Sequence, residues 1–338
     1  ERLDEAEAVT DDALPVSISI GIATERSNLA LRVGKTDLAA AYVSHAQSLA
    51  RLDVAGMTQQ GRLELDLVQE QINLATGNTS TSVEALLRIT DALPKRSEHG
   101  LFARSLLADA YVDRLQLDEA DRTYARALEH PLANGPEARA PLQINRASAL
   151  ARAGRADAAR ASLDAFEATY PGGAPVYFQG PALATRAAVL RLQGRHTEAR
   201  ERAHEALQLF LSLSPSHPSV PSVLDELSRI ELGQEQWRPA FDRAQAALEG
   251  WEGLGLANAP QAAGTLVLMS QALLELGHQD KAAGAAEAAV EIFKAHGRPA
   301  AEIAIAHLAV AAAQGEPNPS AQAVCDASEL AQCRGGRP

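Results

Sequence analysis

Apolar positions along this chain recur every three to four residues over most of its length, in runs cut by glycines such as Gly34, Gly154, Gly194 and Gly277. That pattern predicts amphipathic helices joined by tight turns. The segment 146–160 returns as 186–200 with seven of fifteen positions identical and no gap. A fixed period with helical pattern on both sides of a glycine predicts stacked helix pairs, in which each pair buries its apolar face only against its neighbours.

The first helix is expected over about Pro15 to Val33. Val16-Ser-Ile-Ser-Ile-Gly-Ile22 alternates with period two, so a strand is the alternative there. Helix is preferred because everything that follows is helical and a lone strand has no mate. At the far end a helix is expected over Pro299 to Ala313, broken by Gln314-Gly-Glu-Pro-Asn-Pro-Ser320 before a shorter segment from Ala321 to Cys333. Residues 1–14 read as an N-terminal segment and 334–338 as a disordered tail. The missing initiator Met and absence of a signal-like start suggest a piece of a longer protein.

Between Leu101 and Pro131, Leu107, Ala108, Tyr111, Ala120, Tyr124 and Ala127 fall in an order that resembles the tetratricopeptide repeat, with Leu115 where the family places its turn glycine. Further units follow at spacings of 39, 40, 41 and 42 residues. These exceed the family's unit of about 34, and resemble the longer variant of kinesin light chains and bacterial regulators. The excess falls in loops such as Ser214–Pro221 and Gly253–Pro260. The resemblance implies an all-α, right-handed α-solenoid over residues 15–333, of about seven repeats plus a C-terminal capping helix. Its small residues let paired helices approach closely, while larger ones fill the space to the next pair.

Composition agrees with this and narrows the partner. Hydrophobic residues make up 46% but aromatics only 4%, much of the rest being alanine, the best helix former. A net charge of −12 disfavours nucleic acid, whose phosphates demand a basic surface. No run of apolar residues is long enough to span a membrane. Cys325 and Cys333 lie eight apart. On one helix they would be about 12 Å from each other, too far to bridge, so free thiols and a cytoplasmic, reducing setting are expected.

Motifs of chemistry are missing. Nine histidines are scattered without metal-ligand spacing, so no metal or cofactor is expected. Gly34-Lys-Thr36 lacks the upstream glycine and strand of a phosphate loop. Val176-Tyr-Phe-Gln-Gly-Pro181 reads as an inter-repeat loop carrying two aromatics. No catalytic set has the required spacing, so the chain is expected not to be an enzyme.

What the resemblance implies is a concave groove that holds a protein or peptide. Transferring the family's inward positions gives Asp109, Asn145, Ser148, Arg152, Arg191, Asp225, Arg229 and Gln271 as candidate partner contacts. Asn145 can offer a peptide backbone a donor and an acceptor together, or satisfy a neighbouring helix. The arginines would hold an acidic partner. The carboxylate clamp of chaperone-binding members is disfavoured, since Ser105 and Asp109 occupy its first lysine and asparagine places and only Asn145 fits. The alanine- and arginine-rich style also resembles repeat regions of high-GC bacteria that sit beside a kinase, protease or transcription regulator. That makes a ligand-sensing module controlling an attached effector the alternative reading.

Overall fold

The structure, a computed structural model, describes residues 16–52, 58–328, 330 and 333. The segments 1–14 and 334–338 lie outside the described residues. Sixteen α-helices follow in order, with no strand among the described residues. They are α1 (Val16–Arg32), α2 (Thr36–Leu52), α3 (Gln59–Thr76), α4 (Ser82–Ala92), α5 (Glu98–Asp113), α6 (Leu117–Leu128), α7 (Pro136–Arg152) and α8 (Ala156–Thr169). Then come α9 (Val176–Leu192), α10 (His196–Leu213), α11 (Val220–Gly233), α12 (Trp237–Gly253), α13 (Pro260–Glu275), α14 (Gln279–Ala295), α15 (Ala300–Gln314) and α16 (Pro319–Asp326). The helical reading of residues 16–32 holds, and the strand does not form.

Six of the pairs carry two small buried residues twelve positions apart. Ala108 meets Ala120, Ala147 meets Ala159 and Ala187 meets Ala199, all fully buried. In three pairs the first partner is serine, and its hydroxyl donates to the second helix: Ser27 to the Ala39 carbonyl at 3.0 Å, Ser228 to Ala240 at 2.9 Å and Ser270 to Ala282 at 2.7 Å. The donation satisfies a buried hydroxyl while keeping the helices as close as alanine would. Gly34, Gly154, Gly194 and Gly277 turn each pair with φ between 73° and 80°. Leu115 and Glu235 do the same work at φ 59°, a conformation costly for a side chain with a Cβ.

First helices of successive pairs touch one another more closely than second helices do. They therefore line the inner, concave face. The right amount of twist per repeat brings the turns of early repeats against the loops of late ones. A Cβ on Gly77, between α3 and α4, would lie 2.5 Å from Pro260 Cδ at the start of α13. One on Gly34 would lie 2.9 Å from Leu254. Gln261 Nε2 donates to the Ala75 carbonyl at 3.3 Å, and Arg114 Nη1 to the Gly297 carbonyl at 2.8 Å. The solenoid thus closes on itself along a seam between residues about 34–152 and 218–302.

Three sequence expectations are corrected. Val176–Pro181 is the start of α9 rather than a loop, because Phe178 packs against Phe166 and Tyr170 and pulls the turn into the helix. The last helix stops at Asp326 rather than running to Cys333. The chain then folds back, bringing the cysteine Cα atoms to 5.2 Å, and Cys325 and Cys333 form a disulfide. The expected 12 Å assumed one continuous helix. The bridge sits with Leu330 against Ala306 and Ala309 of α15, where it closes the end of the core.

Candidate functional site: a closed concave groove

The concave face is built from α1, α3, α5, α7, α9, α11, α13 and α15, and most of the polar side chains on it are tied to one another. Asp109 on α5 accepts hydrogen bonds from the Tyr124 hydroxyl and from Asn145 Nδ2, the latter at 3.5 Å. Burial pushes the Asp109 carboxyl up to about 6, against the pull of these two donors. Tyr124 is raised in turn, first by burial and then by the Asp109 charge and hydrogen bond. Asn145 thus reaches across to the neighbouring helix α5.

Asp225 on α11 is buried and accepts from Thr265 Oγ1 at 2.8 and 3.0 Å. Its carboxyl is also pushed up to about 6 by burial, with Arg229, Thr265 and Trp251 acting to lower it. Such groups rest in the wall of the groove. Ser148 is exposed and Gln271 half-buried, and neither makes a side-chain hydrogen bond among the described residues.

The three candidate arginines do not stand free. Arg191 Nε lies 2.6 Å from Glu226 Oε1, and Arg229 Nη1 lies 3.6 Å from the other oxygen of the same carboxylate. Arg152 Nη2 lies 2.7 Å from Glu302 Oε1 on α15, across the seam. Sequence reasoning placed these side chains on the inner face but not their partners, which lie three residues away for Arg229 and 35 and 150 residues away for Arg191 and Arg152.

The residue that sequence reasoning missed is Arg298, in the link between α14 and α15. Its side chain is only 3% exposed. It pairs with Asp113 of α5, with Glu302 at 2.7 Å, and donates to the Asp113 carbonyl at 2.9 Å. Burial works against its charge, but the bonds and charges of Glu302 and Asp113 outweigh it and raise its pKa. Arg152, Glu302, Arg298 and Asp113 form one chain of alternating charge that locks the seam. No three His, Cys, Asp or Glu side chains converge as a metal cluster among the described residues.

Residues 181–253 match the tetratricopeptide repeat family model. No curated protein matches the sequence. Among solved structures, the chain is similar to a Rap protein complexed with competence and sporulation factor, with a TM-score of 0.68 at 13% identity over 92% of this chain and 86% of that one. NprR in complex with its cognate peptide NprX gives 0.63 at 12% identity, over 91% and 87%. A tetratricopeptide repeat protein from Parabacteroides merdae gives 0.51 at 12% identity, over 88% and 99%.

Proposed function

We propose, from the premise that the chain is a solenoid of tetratricopeptide repeats, that it is a non-catalytic scaffold holding a peptide or an extended partner segment in its concave groove. The observation that carries this reading is the closed superhelix, whose inner wall is fixed by satisfied polar pairs, while Ser148 and Gln271 make no side-chain hydrogen bond among the described residues. A rigid groove loses little order on binding, which favours a short ligand. The same fold is complexed with competence and sporulation factor in Rap and with its cognate peptide NprX in NprR, which supports the class of ligand.

A pooled library of fluorescein-labelled hexapeptides, followed by anisotropy, tests this. Ser148→Trp, which fills the groove from an exposed site, should weaken the selected peptides at least about tenfold, about 1.4 kcal/mol, with the helical spectrum unchanged. Binding that ignores this substitution would sink the assignment. The alternative, a sensor controlling an attached effector, is favoured by one observation: the seam joins distant repeats through few side chains, so groove occupancy and closure can be coupled.

No helix among the described residues is long and apolar enough to cross a membrane. The expected cytoplasmic setting conflicts with the Cys325–Cys333 bridge, since structural disulfides persist in oxidising compartments. A thiol count on protein purified from its source under alkylating conditions decides it. A bridged chain yields no alkylated cysteine, whereas a cytoplasmic reduced chain yields two.

A further inference from the structure

At the N-terminal end of the concave face, α1, the start of α3 and α5 enclose a cleft of about 570 Å³. Its floor is apolar, made by Ile20, Leu65 and Val68. Phe102 stands 39% exposed at its edge. Glu25, Glu64 and Glu98 also line it. His99 Nδ1 lies 3.3 Å from Glu64, and no Lys or Arg lines the cleft. Glu25 and Glu98 are exposed and make no ion pair among the described residues. Here the groove differs from its middle, where every candidate arginine already has a carboxylate.

Gly21 faces the same cleft. It sits inside α1, where glycine costs about 1 kcal/mol relative to alanine, yet a Cβ there would meet nothing within 4 Å. Packing within the chain gives no reason for the missing side chain. An incoming side chain would use the space it leaves.

The geometry points to this cleft as the docking site for a cationic peptide segment, a lysine or arginine flanked by a large apolar residue. The apolar part lies on Ile20, Leu65, Val68 and Phe102, and the cation meets Glu25 and Glu98. Charge complementarity sets the occupant. The chain's own residues 1–15 carry six acidic side chains and one arginine, the wrong sign to fill it. This inference rests on the groove-binding reading and gives it a location and a ligand chemistry. It also replaces the acidic partner expected from the arginines.

Three sets of labelled hexapeptides, equal in leucine and phenylalanine content but cationic, neutral or anionic, are titrated by anisotropy at low and high salt. The cationic set should bind best and lose affinity as salt screens the carboxylates. Gly21→Leu, which fills the cleft from a site with room for it, and Glu25→Gln/Glu98→Gln should each weaken that set at least about tenfold. Unchanged secondary structure for both variants keeps the comparison interpretable. Peptides that bind without charge preference, or that are lost with Ser148→Trp but kept with Gly21→Leu, overturn this site and leave the groove reading standing. Failure of all three sets to bind overturns both.

Discussion

Arg298→Ala should destabilise the folded chain by about 3–5 kcal/mol and open the superhelix, the typical cost of removing one partner from a buried ion pair. The size follows from what is left behind. Glu302 and the Thr79 and Asp113 side chains would face one another with their shared cation gone, and the Asp113 carbonyl would lose its donor. Arg152 keeps one hold on Glu302 at 2.7 Å, but it is more exposed and reaches only one acid. Chemical denaturation measures the energy, and small-angle scattering the expansion. The companion variant Arg298→Met/Glu302→Leu, which removes both charges, should recover much of the loss, because apolar replacement of a buried pair is often close to neutral. A variant that loses less than about 1 kcal/mol and keeps its dimensions would remove Arg298 from the role of lock.

The second large effect is a stability that increases on mild acidification. Asp109 and Asp225 rest at 3.8 when unfolded and at about 6 when folded. A carboxyl raised on folding favours the folded state when protonated. Its contribution is complete below about 3.8 and is lost as pH rises through about 6. Between pH 7.5 and 5 the folded chain therefore takes up protons that the unfolded chain does not. Over that interval each residue contributes about 1.4 kcal/mol, roughly one pKa unit at 1.36 kcal/mol per unit, out of about 3 kcal/mol available below pH 3.8. Asp109→Asn/Asp225→Asn, which keeps an acceptor for Tyr124 and Thr265, should flatten the gain. Melting curves at both pH values for the two proteins check this; equal acid stabilisation in wild type and variant would assign the effect elsewhere.

Local structure was legible in the sequence because it depends on residues near one another. The glycine turns, the buried alanines twelve apart and the two-helix units can be read from short spacings. Leu115 stands where the family places its turn glycine, and it adopts the glycine's left-handed conformation at φ 59°. The disulfide was misread because one wrong assumption, a helix running through Asp326, turned a contact of 5.2 Å into one of about 12 Å.

The seam was not legible at all. It depends on the small rotation from each repeat to the next, summed over four or five repeats, and no window of sequence contains that sum. Arg298 looked like one residue of a polar link, yet its partners lie 185 residues upstream and four downstream. The inner positions of the groove were legible as positions. Their pairing was not, so side chains expected to wait for a ligand turned out to hold the wall. The cleft beside Gly21 escaped for a related reason: its three helices come from three different repeats, and a glycine within a helical run carries no local sign that it borders open space.

The account stands or falls on closure of the solenoid. With Ser80 and Asn258 replaced by cysteine, two exposed sites flanking the approach of Gly77 to Pro260, spin labels can be read by pulsed dipolar spectroscopy in solution. A closed superhelix predicts one short, narrow distance distribution that broadens and lengthens in Arg298→Ala. A long, broad distribution in the unaltered chain would mean that the early and late repeats do not meet.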